Sequence, residues 1–143
     1  MRRRGSAVRD ILPAVKRCLE ADANVRFAYP FGSQALNKAT ALSHIDIAVF
    51  LDPHADPFPY RLKLIETLIR ITKTENIGVL VLNQAIPLLK HQIIGGGIVL
   101  KEAREERVVF EKGVLREYLD LDHLRKIQMS YIREQLRAGT NFG

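Results

Sequence analysis

The chain has 143 residues, 47% of them hydrophobic, which suits a globular protein with one real core. No apolar run reaches the ~20 residues of a membrane span, and the single cysteine, Cys18, excludes an internal disulfide or a cysteine metal cage. The net charge is +6, but three positive charges belong to arginines 2–4, so we predict a flexible basic tail over residues 1–5. We expect one domain over residues 1–143, located in the cytoplasm.

A helix and a strand are predicted in the first thirty residues. Asp10 is placed to cap the helix, Pro13 fits its first turn, and residues 21–24 end it. The next segment alternates in polarity, which predicts a half-buried strand closed by Pro30, and its inward residues are Val25, Phe27 and Tyr29.

A second strand and a second helix follow. The alternation over 45–51 predicts a strand whose core face carries Ile45, Ile47, Val49 and Leu51. The loop 52–59, rich in Pro and Asp, is expected to form a rim of the functional site. Helical spacing predicts a helix from about Tyr60 to Thr74, with a stripe at Leu62, Ile65, Leu68, Ile69 and Thr72.

The second half of the chain is predicted to become helical. Pro87 can open a short helix that Gly95 ends, and residues 98–100 read as one more short strand. From Ala103 onward the pattern is helical, with Asp120 or Asp122 capping a restart. Its apolar positions are Val109, Leu115, Leu119, Leu124, Ile127, Tyr131 and Leu136. We expect Tyr118, Met129 and Tyr131 to pack in the core, the alternative being contact with a second protein.

The candidate site lies between the first two strands. Gly32 lets the backbone approach phosphate oxygens, and Ser33 offers a hydroxyl and an N–H at a predicted helix start. His44 and Asp46 are two apart on a strand, so they share one face. Two carboxylates there would hold Mg²⁺, whereas an imidazole is a poor Mg²⁺ ligand. His44 is either a weak metal or phosphate ligand or a histidine hydrogen-bonded at a strand end.

The pattern Gly32-Ser33, a linker, and His44-Ile45-Asp46 resembles polymerase-β-type nucleotidyltransferases. Together with residues 77–89, which run from a strand into Leu-Asn and a short helix, it resembles the MNT group of minimal nucleotidyltransferases, antitoxins of all-helical HEPN ribonuclease toxins. The resemblance implies an α/β (α+β) fold with a small mixed sheet flanked by helices and a helical C-terminal region. It also implies a catalytic Asp46, nucleotide binding by Gly32 and Ser33, and metal binding by Asp46 with His44.

The chain departs from the family pattern at four positions. The first acid of the pair is replaced by His44, and the third acid, expected at the start of the third strand, is replaced by Gly78. The family's Arg-Gly after the serine is replaced by Leu36 and Asn37. Removing one preorganised electrostatic group typically costs roughly 10²- to 10³-fold in rate, so two missing acids predict a damaged site. Asp52 and Glu75 are the nearby carboxylates. Asp52 shares the face of Asp46 but is expected to lie too far along the strand, and Glu75 just precedes the third strand.

Two functions follow from this resemblance. The first is an antitoxin that binds a HEPN-type ribonuclease toxin and neutralises it, with its nucleotidyltransferase site impaired. The second is an active adenylyltransferase that moves AMP from ATP to a tyrosine of that toxin. ATP and Mg²⁺ are expected to bind weakly if they bind at all. Direct nucleic-acid binding is not expected, because the sequence lacks the aromatic interleaving of single-strand binders.

Overall fold

A computed structural model describes residues 7–31 and 45–139 of the chain. The predicted basic tail over residues 1–5 lies outside this range. In chain order the elements are α1 (Ala7–Ala21), β1 (Val25–Phe31), β2 (Ile45–Leu51), α2 (Pro57–Thr72), β3 (Ile77–Val81), a 3₁₀ turn (Leu82–Gln84), α3 (Pro87–Ile94) and α4 (Arg104–Gly139).

The three strands form one sheet in the order β1-β2-β3. β2 runs antiparallel to β1 and parallel to β3, so the sheet is mixed, as predicted. Helices cover it on both faces, and this confirms the small mixed sheet and the helical C-terminal region.

The first face of the sheet carries the main core. Ile45, Ile47, Val49 and Leu51 of β2 are at most 2% exposed, so the predicted core face is confirmed. α1 contributes Val15 and Leu19, and α2 contributes Leu64 and Leu68. For α2, the prediction that Leu62 belongs to the inward stripe is wrong, because Leu62 is 49% exposed while Leu64 is buried.

The second face of the sheet is buried too, so the half-buried pattern predicted for β1 is wrong. Ala28 and Pro30 are buried as fully as Phe27 and Tyr29. Phe27 stacks on Phe50 with ring centroids 4.8 Å apart. α4 adds Phe110, whose ring lies 5.4 Å from that of Phe27 and 5.1 Å from that of Phe50. Apolar residues therefore occupy both sides of β1, and alternation in its sequence says little about exposure.

The Leu-Asn pair after β3 has a clear structural role. Asn83 Oδ1 accepts a hydrogen bond from Leu51 N at 2.8 Å, and Asn83 Nδ2 donates to Leu51 O at 2.9 Å. The side-chain amide thus continues the β2–β3 pairing after the β3 backbone has turned into the 3₁₀ turn. Leu82 is fully buried beside it.

Two predicted helix starts are wrong. Asp10 lies inside α1 rather than capping it, and Pro13 is an internal residue of that helix. A proline there removes one hydrogen bond, and burial of Val15 and Leu19 on the same helix offsets that cost. α2 begins at Pro57, because an extended Asp56 precedes it and proline suits the first helical turn.

The short strand predicted over residues 98–100 is also wrong. Only an isolated bridge joins Lys101 to Ala28, through Ala28 N to Lys101 O at 3.1 Å and Lys101 N to Ala28 O at 3.2 Å. The next residue of β1 on that edge is Pro30, which has no N–H, so the ladder cannot continue. At the opposite edge of the sheet, Arg61 Nε of α2 donates to Val79 O of β3 at 2.6 Å.

α4 is one continuous helix of 36 residues, so the predicted restart at Asp120 or Asp122 is wrong. Asp122 instead pairs with Arg125 at 2.9 Å and Lys126 at 3.2 Å within the helix. The core prediction fails for Met129 and Tyr131, which are 46% and 65% exposed. In the described ranges, α4 included, no helix has the length and apolar character needed to cross a membrane.

Candidate nucleotidyl-transfer site

Asp46 lies at the start of β2, where its Cα pairs with that of Phe31 at the end of β1. The end of β1 and the start of β2 therefore lie side by side. Gly32, Ser33, His44, Leu36 and Asn37 belong to the segment that connects these strands and lie outside the described residues. Asp46 itself is half-buried on the second face of the sheet, the face of Ala48 and Phe50.

The neighbour of Asp46 on β3 is Gly78. The parallel register pairs Asp46 with Gly78 and Ala48 with Leu80. Paired residues of adjacent strands project from the same face, so a carboxylate at position 78 would point beside that of Asp46. The position predicted for the third acid is therefore well placed, and its residue has no side chain.

Asp52 cannot replace a missing acid. It follows the far end of β2, about 20 Å from Asp46 at about 3.3 Å per residue. Its carboxylate accepts hydrogen bonds from Arg26 at 2.8 Å and from the backbone N of His54 at 2.8 Å. These contacts, led by the His54 backbone N–H, lower the pKa of Asp52. Glu75 is at the same end of the sheet as Asp46, but it precedes β3 and is exposed.

The loop 52–59 does not form a rim of this site, so that prediction is wrong. It lines a separate open cavity of about 440 Å³ with Asn24 and Tyr60 at the opposite end of β2. There the Tyr60 hydroxyl donates a short hydrogen bond to Asp22 Oδ2. The cause is topological, because a chain leaving the C-terminal end of a strand cannot fold over the start of the same strand within a few residues.

An ionic cluster that the sequence did not reveal lies one row along the face from Asp46. Tyr29 pairs with Ala48, two residues after Asp46, and its hydroxyl donates to Glu111 Oε2 at 2.7 Å. Arg107 donates to that same oxygen at 2.9 Å. The bond between Tyr29 and Glu111 joins residues 82 positions apart, and no local spacing indicates it.

The charged groups of this cluster are paired with one another by hydrogen bonds and ion pairs. Burial first, and then the hydrogen bond to Glu111, raise the pKa of Tyr29. Arg107 also binds Glu102 through Nε at 2.5 Å and through Nη2 at 2.9 Å, and this pairing lowers the pKa of Glu102. Since Glu111 is already engaged by Arg107 and Tyr29, it does not supply the missing acid beside Asp46.

Whether a divalent ion fits beside Asp46 depends on the side chains that could act as its ligands. Mg²⁺ needs several oxygen ligands in near-octahedral geometry. Across residues 7–31 and 45–139, no three His, Cys, Asp or Glu side chains are grouped so that they could hold a metal ion. Asp46 and Gly78 together provide one carboxylate, which does not fit a carboxylate clamp built from β2 and β3.

The fold and the position of Asp46 are those of a nucleotidyltransferase scaffold. The family described as Polymerase beta, Nucleotidyltransferase matches residues 14–106, which is more than half of the chain. The chain therefore belongs to the polymerase-β nucleotidyltransferase family. Among curated proteins, no sequence matches it.

Several solved structures of toxin–antitoxin complexes contain a chain that shares this fold. A toxin–antitoxin crystal structure with AMP-PNP superposes with a TM-score of 0.65 at 19% identity, covering 86% of this chain and 96% of the other. The MntA-HepT toxin–antitoxin gives 0.65 at 19% identity, with 87% and 97% covered. The tri-AMPylated Shewanella oneidensis HEPN toxin in complex with MNT antitoxin gives 0.58 at 18% identity, with 82% and 98% covered. These similarities establish a shared fold along nearly the whole length of each neighbour.

Proposed function

We propose that this chain is the antitoxin of a HEPN-type ribonuclease toxin and that it neutralises the toxin by binding it, with nucleotidyl transfer impaired. The observation that carries this proposal is the pairing of Asp46 with Gly78. A site that must stabilise a triphosphate depends on charge placed at fixed positions, and here the position beside Asp46 carries none. The toxin–antitoxin neighbours support the choice of partner.

The sequence of the strand-connecting segment agrees with this proposal. His44 stands where the family has its first acid, which leaves Asp46 as the one acid of the three expected. The sequence keeps Gly32 and Ser33 of the family's phosphate-binding motif, so we expect ATP to bind weakly and with a modest dependence on Mg²⁺.

The second candidate is adenylyl transfer from ATP to a tyrosine of the toxin. It is favoured by the position of Asp46, which still lies at the strand start and on the face where the family pattern requires a carboxylate. One neighbour is a complex with AMP-PNP and another contains an AMPylated toxin. The two candidates make opposite predictions for the loss of Asp46.

A growth-rescue assay with Asp46→Ala separates them. Cells that express the HEPN-type toxin proposed as the partner would receive the wild type, Asp46→Ala or the control Glu66→Ala at matched levels. Glu66 is an exposed carboxylate on α2, far along the chain from the site. If neutralisation works by occlusion, all three proteins rescue growth, because a small change at one strand end leaves the binding surface intact.

A pull-down on the same cells shows whether each variant still binds the toxin. Purified toxin incubated with the chain, labelled ATP and a divalent ion gives the chemical readout. Loss of rescue by an Asp46→Ala protein that still binds, together with label on a toxin tyrosine, would establish adenylyl transfer and refute occlusion. Absence of binding by the wild type would refute both candidates.

A further inference from the structure

From Leu121 onward, the second half of α4 carries an apolar surface that the rest of the described chain leaves open. We call it the distal face, and its residues are each 45% to 65% exposed: Leu121, Leu124, Ile127, Met129, Tyr131, Ile132 and Leu136. At about 100° per residue these seven positions fall within roughly 200° of the helix, along about 24 Å of its axis. Single exposed apolar residues are ordinary, but a continuous apolar face of this length marks an interaction site.

The distal face continues the buried side of the same helix. Phe110 packs on the second face of the sheet, and Val114 is buried. Leu121 lies on the same side of α4, about three turns after Phe110 and about two turns after Val114. At this junction a groove of about 310 Å³ opens between α3 and α4, with Leu88, Leu121 and Leu124 in its walls. A rod-shaped partner lying along the distal face would reach this groove at one end.

We infer that the distal face is the docking surface for a helix of the toxin. This inference rests on the proposed function for the identity of the partner, and the structure contributes the surface. An amphipathic helix matches a straight apolar stripe because its own side chains recur with the same spacing. HEPN toxins are all-helical, as the family resemblance implies, so they can supply one.

The polar groups of the distal segment describe the partner further. Gln128 and Gln135 lie near the centre of the stripe, where amide groups require hydrogen-bonding partners that lipid tails do not offer. Lys126, Arg133 and Arg137 border the stripe on one side, so that side is basic on balance although it also carries Asp122. Arg125 lies within the stripe and pairs with Asp122. The docking helix should therefore be apolar along one face, with hydrogen-bonding groups near its centre and carboxylates along one rim.

A second copy of this chain fits the distal face less well. Parallel pairing of two α4 helices would bring the second body against Phe110 and Val114, whose side is already occupied by the sheet and α3. Antiparallel pairing centred on Ile127 sets Asp120 of one helix opposite Glu134 of the other, which places like charges together. Charge and shape thus both favour a different partner.

The test measures the affinity of the full-length chain for the HEPN-type toxin proposed as its partner. In the double variant Leu124→Ser with Tyr131→Ser, we expect binding at least about tenfold weaker, because buried apolar anchors dominate such interfaces. The matched control is Leu119→Ser, also on α4 and 63% exposed. Leu119 lies about 140° around the helix from Leu124, so its loss should leave the affinity within about twofold.

A charge variant provides independent evidence. Arg133→Glu with Arg137→Glu should weaken binding and reduce its dependence on salt, because the interaction between opposite charges is lost. Circular dichroism melts of every variant show whether the fold is retained, and since the substituted side chains are exposed we expect unchanged melting curves.

Each outcome decides the question. Wild-type binding with an equally tight Leu124→Ser/Tyr131→Ser variant overturns the docking surface and leaves the proposed function standing. Failure of the wild type to bind overturns both. If sedimentation shows that the chain alone dimerises through the distal face, or if flotation shows that the face binds vesicles of phosphatidylcholine and phosphatidylglycerol, the occupant is a second copy or a membrane and the inference is wrong.

Discussion

The two halves of α4 have similar apolar spacing and different surroundings. In the proximal half, Phe110 packs on the aromatic pair of the sheet and the ring of Tyr118 stacks on that of His91 with centroids 3.7 Å apart. In the distal half, Tyr131 and Leu136 are each 65% exposed. Periodicity therefore identifies a helix with an apolar side, and the elements that reach that side decide whether it becomes core or interface.

The largest expected effect is on the free energy of unfolding, when the aromatic contact of the proximal half is removed. Phe110→Ala should lower the free energy of unfolding by about 3 kcal/mol, because it removes a ring packed on two others and leaves a cavity. Tyr131→Ala in the distal half should change it by less than about 0.5 kcal/mol. Urea denaturation of both variants measures the difference. Equal losses would show that the distal half is packed in the isolated protein.

A second, smaller effect concerns pH and the ionic cluster of the proximal half. Arg107 lowers the pKa of Glu102 below its usual 4.5, so the folded state holds that carboxylate in its charged form more strongly than the unfolded chain does. A depressed carboxyl pKa gives stability that is present above the unfolded value and lost as the pH falls through the folded one. The melting temperature should therefore decrease as the pH is lowered below about 4.5.

Arg107→Gln is the variant that tests this origin. It should melt at a lower temperature than the wild type at neutral pH and lose less on acidification, since the carboxylates no longer gain from the guanidinium. Melting curves between pH 3 and pH 7 for both proteins provide the comparison. Two parallel profiles would mean that Arg107 does not account for the acid sensitivity.

The smallest effect is expected at the start of the distal half. Asp122 pairs with Arg125 and Lys126 on the helix surface, and the hydrogen bond from Arg125 lowers its pKa. Exposed ion pairs of this kind contribute little. Asp122→Asn should leave the melting temperature unchanged within error in the same scans. A decrease in melting temperature as large as that of Arg107→Gln would show that ion pairs in the two halves of α4 contribute equally to stability.

The sequence predicted those parts of the fold that local patterns determine. The inward positions of β2 follow from its period of two, because Ile45, Ile47, Val49 and Leu51 all lie on the face covered by α1 and α2. Pro87 and Gly95 mark the ends of α3 correctly. It failed for β1, because nothing in a seven-residue segment reports that α4 packs on its other face. The sequence-based prediction also failed at Pro57, because residues 57–59 were assigned to a loop although they form the first turn of α2.

At the site, the family resemblance identified Gly78 as the position of the missing third acid, and the structure adds that Gly78 pairs with Asp46. The roles of Gly32, Ser33 and His44 stay predictions from the sequence. The cluster of Tyr29, Arg107 and Glu111 depends on contacts between the two ends of the chain, which appear only once the sheet and α4 are assembled.

The edges of the sheet have a consequence for how the protein can associate. On the outer side of β1, Pro30 lacks the N–H donor that an added strand would need. The backbone of Ala28 is already hydrogen-bonded to that of Lys101. On the outer side of β3, Arg61 binds the carbonyl of Val79. Fibril growth by strand addition requires an open row of backbone donors and acceptors. With those rows interrupted, this chain can present an apolar helix to a partner while its sheet resists recruitment into aggregates.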